Sequence, residues 1–470
     1  MRSDGHLKII VWIVSPPRTT TALIPSNTTT GEQFLVRLGV TPVLALGLSF
    51  ALGCGGEGVP QTPPLVDPTS VSGRTGFNTY ATANQELGDD FARAVNLTAG
   101  LKSSFVRSDM QWLDFHDYRD YENNGYSTAQ TPRWLARMQK VIQSGQTPFI
   151  TLKTDFREPD GAKFEWPRNA FWRASFVDFV SNGLATFAQR FPQVTPIVMI
   201  SNEPSNSPDW NNPTYRQSYA QIVRDLRQRL NSDGRRVVLL LSSVNNNSSL
   251  IRPHAFSNYL QWARSEGLDD LVDGYSVHTY LGSVTGSFPE ENIEEVNQFA
   301  TAAGKPVFAT ELGYNSVGYR NNYHGSGVTE LIWAKRIFLS SLLFDTKANI
   351  FYEVRDRLDA PDYIFTPGSG FCRGLDAGKG CAFEGGGNEA SYGFYEQDLD
   401  PKPTAIWLQR FMELYGNWSR DSGGRDSANP NHWWIRLRSP RGETITIRWS
   451  QNQSAATTDA PFDPVVPGVS

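Results

Sequence analysis

The feature that most restricts what this chain can fold into is a rhythm. From Thr75 onward, short runs rich in β-branched and aromatic residues recur: TGFNTY, SFVRSD, TPFITLKT, PIVMISNE, RVVLLLS, DGYSVHTY, PVFATE and NIFYEV. Between them lie segments with apolar residues at helical spacing. Trp134, Leu135, Met138, Val141 and Ile142 precede the third run, and Tyr219, Ile222, Val223, Leu226 and Leu230 follow the fourth. Short apolar runs bounded by turn residues predict strands, and recurrence at i, i+3 and i+4 predicts amphipathic helices. Strand then helix, eight times over, predicts an α/β fold: a parallel (β/α)8 TIM barrel over residues 75–416. An open sheet seldom repeats so evenly, and no shorter internal repeat underlies the rhythm.

After the last helical segment, KPTAIWLQRFMELYG, the texture changes. HWWIRLR and ETITIRW flank SPRG, which predicts a hairpin. A lone hairpin is marginal, so residues 417–470 are expected to pack on the barrel or to form a small C-terminal β-subdomain.

The segment before Thr75 has a different character. An apolar run from Leu38 to Cys54 follows Arg37 and is interrupted by Gly39, Pro42 and Gly47. It is short and broken for a membrane span, whereas a basic residue, an apolar core and small residues at the end make a secretory leader. Two processing routes stay open. Ser49-Phe50-Ala51 has the small-x-small pattern of signal-peptidase cleavage; the run also resembles a lipobox ending at Cys54, with Ala51 and Leu52 in swapped order. The residues upstream are too many for a leader's basic region, so translation is expected to start near Val36. Residues 1–54 are thus expected to export the chain to the periplasm, the medium or the cell surface, with Cys54 as a possible site of membrane attachment. Residues 55–74, rich in Pro, Gly and Ser, describe a flexible tether. In an exported chain Cys372 and Cys381 most simply pair, closing a loop worth about 2–3 kcal/mol. Zinc is the weaker reading, because no further ligand lies nearby.

Composition excludes some partners. The 43 basic and 48 acidic residues give a net charge of −5, without a basic run to follow a phosphate backbone, so no nucleic-acid partner is expected. The 13 tryptophans, 17 tyrosines and 27 phenylalanines supply flat faces that suit sugar rings, although core packing accounts for most of them.

In such a barrel the chemistry sits at the C-terminal ends of the strands. The second run ends in Arg107 and Asp109, the fourth in Asn202 and Glu203, the sixth in His278 and Tyr280, the seventh in Glu311 and the eighth in Tyr352 and Glu353. Two glutamates on the fourth and seventh strands can face each other across the mouth, one as acid and one as nucleophile. Retaining glycosidases hold such a pair about 5–5.5 Å apart, inverting ones roughly 6.5–9.5 Å.

At these positions the chain resembles the retaining β-glycosidases of clan A. Asn-Glu-Pro after the fourth strand, His-x-Tyr on the sixth and Thr-Glu-x-Gly on the seventh carry the resemblance, and FYEVRD followed by YGFYEQDLDPKP resembles families five and thirty-nine of that clan. The resemblance implies Glu203 as general acid/base and Glu311 as nucleophile. It also implies Asn202 on the sugar 2-hydroxyl, Tyr280 orienting Glu311, Arg107 keeping Glu311 ionised, and His278 on the sugar or on Glu203. Where many clan members end strand eight with tryptophan, this chain has Phe351, Tyr352 and Glu353. Tyr352 is then expected to replace that floor and Glu353 to bind a hydroxyl.

Plainer readings stand beside these. Arg107 can be a structural salt-bridge partner, His278 a hydrogen-bonded barrel residue, and Glu353 half of a structural pair. Trp112, Trp166, Trp210 and Tyr363 are sugar platforms or, more commonly, packing residues. The long loop from Asp356 to Pro401, with Phe371, Phe383, Tyr392 and Tyr395, is expected to form an ordered rim over the cleft. The expectation is an exported retaining glycoside hydrolase acting on a β-linked poly- or oligosaccharide, with no metal or organic cofactor. The alternatives are an exo-acting β-glycosidase or transglycosylase, and a surface lipoprotein that binds polysaccharide without cleaving it.

Overall fold

All eight β-rich runs form strands of one closed barrel. They are β1 (Thr75–Asn78), β2 (Phe105–Gln111), β3 (Thr147–Lys153), β4 (Ile197–Ile200), β5 (Val238–Asn245), β6 (Gly274–Tyr280), β7 (Val307–Gly313) and β8 (Asn349–Phe351). Each pairs in parallel with its sequence neighbours, and β8 closes on β1. After them come, in turn, α1 (Asp89–Gly100), α2 (Thr131–Gln143), α3 (Ala170–Arg190), α4 (Pro213–Ser232), α5 (Ala255–Ser265), α6 (Asn292–Ala303), α7 (Gly327–Ser341) and α8 (Pro403–Tyr415). A two-stranded ribbon, Phe156–Arg157 with Lys163–Phe164, lies between β3 and α3.

This computed structural model describes residues 68–79, 89–111, 131–153, 156–157, 163–164, 170–206, 208–245, 255–280, 290, 292–313, 327–355, 393–395, 399–451 and 464–469. The leader with Cys54, most of the tether, Cys372 and Cys381, and the aromatics Trp112, Trp166, Tyr363, Phe371, Phe383 and Tyr392 lie outside the described residues. No helix among the described residues is long and apolar enough to cross a membrane.

The alternation of side chains along each strand separates two cores. Phe149, Ile197, Met199, Leu240, Phe308, Ala348 and Ile350 fill the lumen. Their neighbours Ile150, Val198, Leu239, Leu241, Val307, Ala309 and Phe351 face the helices and join the larger outer core. At Gly76 a Cβ would stand 2.7 Å from the Cβ of Phe105, so glycine is what lets β1 and β2 close at this level.

The C-terminal segment is a three-stranded antiparallel sheet, β9 (Ser419–Arg425), β10 (His432–Arg438) and β11 (Thr444–Ser450). The predicted hairpin is β10–β11; β9 is a strand that the sequence pattern does not predict. SRDSGGR has neither apolar alternation nor β-formers, and its place is set by pairing with β10 and by close approach to the barrel. A Cβ on Gly423 would lie 2.6 Å from Leu343. The sheet's inner face, Trp433, Ile435, Leu437, Ile447 and Trp449, is continuous with the barrel's outer core.

A polar clasp joins the two parts. Arg336 of α7 and Glu290, just before α6, form a fully buried bidentate pair with bonds of 2.9 and 2.7 Å, and the Trp449 indole N–H donates to the same carboxylate at 2.7 Å. Arg336 also lies over the Trp333 ring, 4.4 Å from its centroid.

Candidate active site

Two local irregularities bring the glutamates to the mouth. The first is the turn after β4. Ser201 and Glu203 both adopt left-handed backbone, φ 68° and 48°, a conformation that costs non-glycine residues of order 1 kcal/mol or more. The surroundings hold it in place. Tyr219 of α4 donates to the Ile200 carbonyl at 3.1 Å and accepts from the Ser242 N–H at 3.1 Å. The Ser242 hydroxyl donates to the Ser201 carbonyl at 3.0 Å, and Tyr259 donates to the Ser242 carbonyl at 2.7 Å. Pro204 then opens a 3-10 turn.

The second irregularity is a bulge in β7. Val277 pairs with Ala309, but the next residue, His278, pairs with Glu311, and the ladder to β8 shifts at the same place. Ala309 and Leu312 both belong to the outer core, so the two residues between them are left to the lumen side. Thr310 bonds the Ser276 hydroxyl at 2.6 Å, and Glu311 rises beside His278. A bulge that re-aims a side chain next to an active site is a common use of this device.

Arg107 organises what results. Its side chain is 1% exposed, and its donors reach the Thr151 hydroxyl (2.7 Å), the Thr310 carbonyl (3.0 Å), Glu311 Oε1 (2.5 Å) and Asn202 Oδ1 (2.6 Å). A guanidinium can only donate, so the Asn202 carbonyl oxygen faces it and the amide Nδ2 is turned to other partners. His278, fully buried, puts one ring nitrogen on both carboxylates: Nδ1 is 2.6 Å from Glu203 Oε1 and 3.3 Å from Glu311 Oε2.

One oxygen of each glutamate and this nitrogen lie within 4.8 Å of one another. Such a set of two carboxylates and an imidazole could ligate a divalent ion, but the Arg107 guanidinium already brings positive charge to Glu311. The arrangement puts a guanidinium on one carboxylate and a shared imidazole nitrogen between the two.

The structure therefore brings Arg107, Asn202, Glu203, His278 and Glu311 together. Tyr280 ends β6, with its side chain outside the described ones. Tyr352 and Glu353 follow β8 and are buried; the Tyr352 N–H donates to the Leu312 carbonyl, and the Glu353 carbonyl accepts from Phe394. Trp210 is no open platform: it packs against Tyr259 and Trp262 beneath the surface, ring centroids 5.6 and 4.8 Å away. Tyr395 is likewise buried in the core.

Sequence reasoning overlooked Lys153, which pairs with Asp109 at 2.7 Å. Its position two residues after Thr151 was the available signal, since alternation puts both on one face of β3. The supporting tyrosines Tyr219 and Tyr259 sit on helical stripes that read as ordinary core, and nothing in the sequence separates them from it.

No family model and no curated protein matches the chain. Solved structures do. One is a family 39 glycoside hydrolase from the gut symbiont Bacteroides cellulosilyticus, with a TM-score of 0.56 and 15% identity, covering 83% of this chain and 73% of that one. Another is a GH5_18 protein from Bifidobacterium longum subsp. longum, a variant solved with Manb1-4GlcNAc, with a TM-score of 0.51 and 13% identity, covering 73% of this chain and 78% of that one. At these identities the likeness is one of fold: this chain has the barrel seen in glycoside hydrolases of families 39 and 5.

Proposed function

We propose that the protein is a retaining glycoside hydrolase that cleaves a β-linked poly- or oligosaccharide by double displacement. The observation that carries this is the pair Glu203 and Glu311, oxygens within 4.8 Å, with a guanidinium on one and a shared imidazole nitrogen on both. One oxygen of each carboxyl within 4.8 Å of the other supports direct attack by a carboxylate, since inversion needs carboxyl groups roughly 6.5–9.5 Å apart to admit a water.

In this reading Glu311, ionised beside Arg107, attacks the anomeric carbon while Glu203 gives its proton to the departing glycosidic oxygen. Glu203 then takes a proton from water, which displaces Glu311 and restores the free carboxylate. Asn202, its carbonyl oxygen already held by Arg107, offers its N–H2 to a sugar hydroxyl. His278 donates from Nδ1 to whichever carboxylate carries more charge. Residues 1–54 and the tether support a site of action outside the cytoplasm, on sequence grounds.

The test is intact-protein mass after incubation with 2-deoxy-2-fluoro glycosyl fluorides of several configurations. Wild type is expected to gain one sugar and Glu311→Gln none. Labelling of both, or of a peptide lacking Glu311, would refute the assignment.

A further inference from the structure

Besides the catalytic pair, the lumen face of β2 and β3 carries a second charged couple. Along β2, Val106 and Met110 face the helices, so Arg107 and Asp109 face the lumen. Along β3, Ile150 and Leu152 face the helices, which leaves Thr151 and Lys153 on the lumen side. Thr151 contacts Arg107, and one step further toward the mouth Lys153 Nζ meets Asp109 Oδ2 at 2.7 Å. Two residues along a strand is about 7 Å, so the backbone positions of the couple lie roughly one sugar ring beyond those of Arg107 and Thr151. The Asp109 side chain is 5% exposed and that of Lys153 20%. The couple is therefore a largely desolvated ion pair near the C-terminal ends of β2 and β3, with the lysine the more exposed partner.

We infer that Asp109 and Lys153 form a substrate-binding subsite that selects a neutral sugar unit over a uronate. This rests on the glycosidase reading and specifies its substrate class. A carboxylate and an ammonium held 2.7 Å apart offer an acceptor and donors to neighbouring hydroxyls of one ring, and charge-assisted bonds of this kind exceed neutral ones in strength. A sugar carboxylate placed there would meet a cation whose charge is already matched and an anion that repels it. Like-charge opposition in a partly buried site is a strong means of rejecting a wrong partner. An unpaired lysine at the same place would do the reverse.

The experiment measures binding by calorimetry in full-length Glu203→Gln protein, whose cleavage of oligosaccharides is slowed roughly 10²–10⁴-fold in this reading. The probes are cellotetraose and β-1,4-mannotetraose with their uronate counterparts, tetrameric β-1,4-glucuronate and β-1,4-mannuronate. The parent is expected to bind a neutral tetramer at least tenfold more tightly than its uronate. Adding Asp109→Asn should shrink that ratio at least tenfold, Lys153→Met should weaken the neutral tetramer about tenfold, and Lys153→Arg should restore most of it. Thermal midpoints show whether each variant is folded, and the near-isosteric Asp109→Asn keeps the test informative if Lys153→Met unfolds.

A parent that binds neutral and uronate tetramers alike overturns the proposal, as does a ratio that both variants leave within twofold. So does a parent that binds no tetramer while wild type is still labelled at Glu311 by a fluorosugar. A protein that neither binds nor is labelled fails at the glycosidase reading instead.

Discussion

Arg107 carries more of the site than its single position in the sequence suggests. Its fork satisfies a hydroxyl, a backbone carbonyl, an amide oxygen and a carboxylate at once, and the compact ammonium of lysine cannot reproduce that plane. Arg107→Lys is expected to lower kcat/KM by about 10²–10³-fold, of the order seen on removing one preorganised electrostatic donor, measured with an aryl β-glycoside of the sugar whose fluoro derivative labels the wild type. Glu203→Ala should separate the two halves of the reaction. General acid catalysis is worth roughly 10²–10⁴-fold, so cleavage of substrates with poor leaving groups should fall by that amount. Dinitrophenyl glycosides, which need no proton, should still form the glycosyl-enzyme near the wild-type rate in a pre-steady-state burst. Loss of the burst would contradict the acid/base role. At this scale the residue types were readable because carboxylates, an amide and an imidazole directly after apolar runs have no packing reason to be there. Lys153 is not distinguished in the sequence, because a lysine at a strand end is ordinarily a solvated terminus.

At the scale of elements, the eight strands could be read from composition because a barrel strand is buried on both faces and becomes a near-continuous apolar run. The β7 bulge and the left-handed turn after β4 could not, since both depend on what the neighbouring strands and helices hold in place. Tyr219 illustrates the dependence: its hydroxyl bridges the Ile200 carbonyl and the Ser242 N–H where the β4–β5 ladder ends at Met199 and Leu240. Tyr219→Phe leaves two buried backbone groups unsatisfied, at about 1–3 kcal/mol each. The expected result is a denaturant midpoint shifted downward at unchanged m, with kcat reduced by looser placement of Glu203. Unchanged stability would mean that these groups have other partners. β9 is the opposite case to the barrel strands: a polar, glycine-bearing segment becomes a strand because β10 offers it an edge and Leu343 leaves no room for a side chain at Gly423.

On the scale of the whole molecule, the clasp of Glu290, Arg336 and Trp449 makes the C-terminal sheet part of the barrel's stability. Removing one charge of a buried pair strands the other, at roughly 3–5 kcal/mol. Glu290→Gln should therefore lower the unfolding free energy by about that amount, and barrel and sheet should still melt in one transition followed by tryptophan fluorescence and far-ultraviolet dichroism. Two separate transitions would show that the sheet folds independently. High pH gives a second global test. Burial raises the Tyr219 and Tyr259 phenols above their ordinary value, so above pH ~10 the unfolded chain releases protons that the native one retains. Stability is then full below pH ~10 and falls as pH rises further, by up to about 1.4 kcal/mol per pH unit for each phenol. Urea midpoints between pH 8 and 11 check this, and Tyr219→Phe should flatten the slope.

The sequence alone determined the barrel, its strand order and the residue types at the strand ends. Those follow from local periodicity, which each segment carries in its own residues. It also determined that an antiparallel hairpin follows the last helix. Only the tertiary structure decided which of those residues meet. The contact of Arg107 with both Asn202 and Glu311, the shared nitrogen of His278, and the pairing of Lys153 with Asp109 are relations between strands far apart in the chain. They depend on barrel closure, on an extra residue in β7 and on a strained turn held by two buried tyrosines. None of these leaves a periodic trace, because each is fixed by neighbours that the chain reaches only after it has folded.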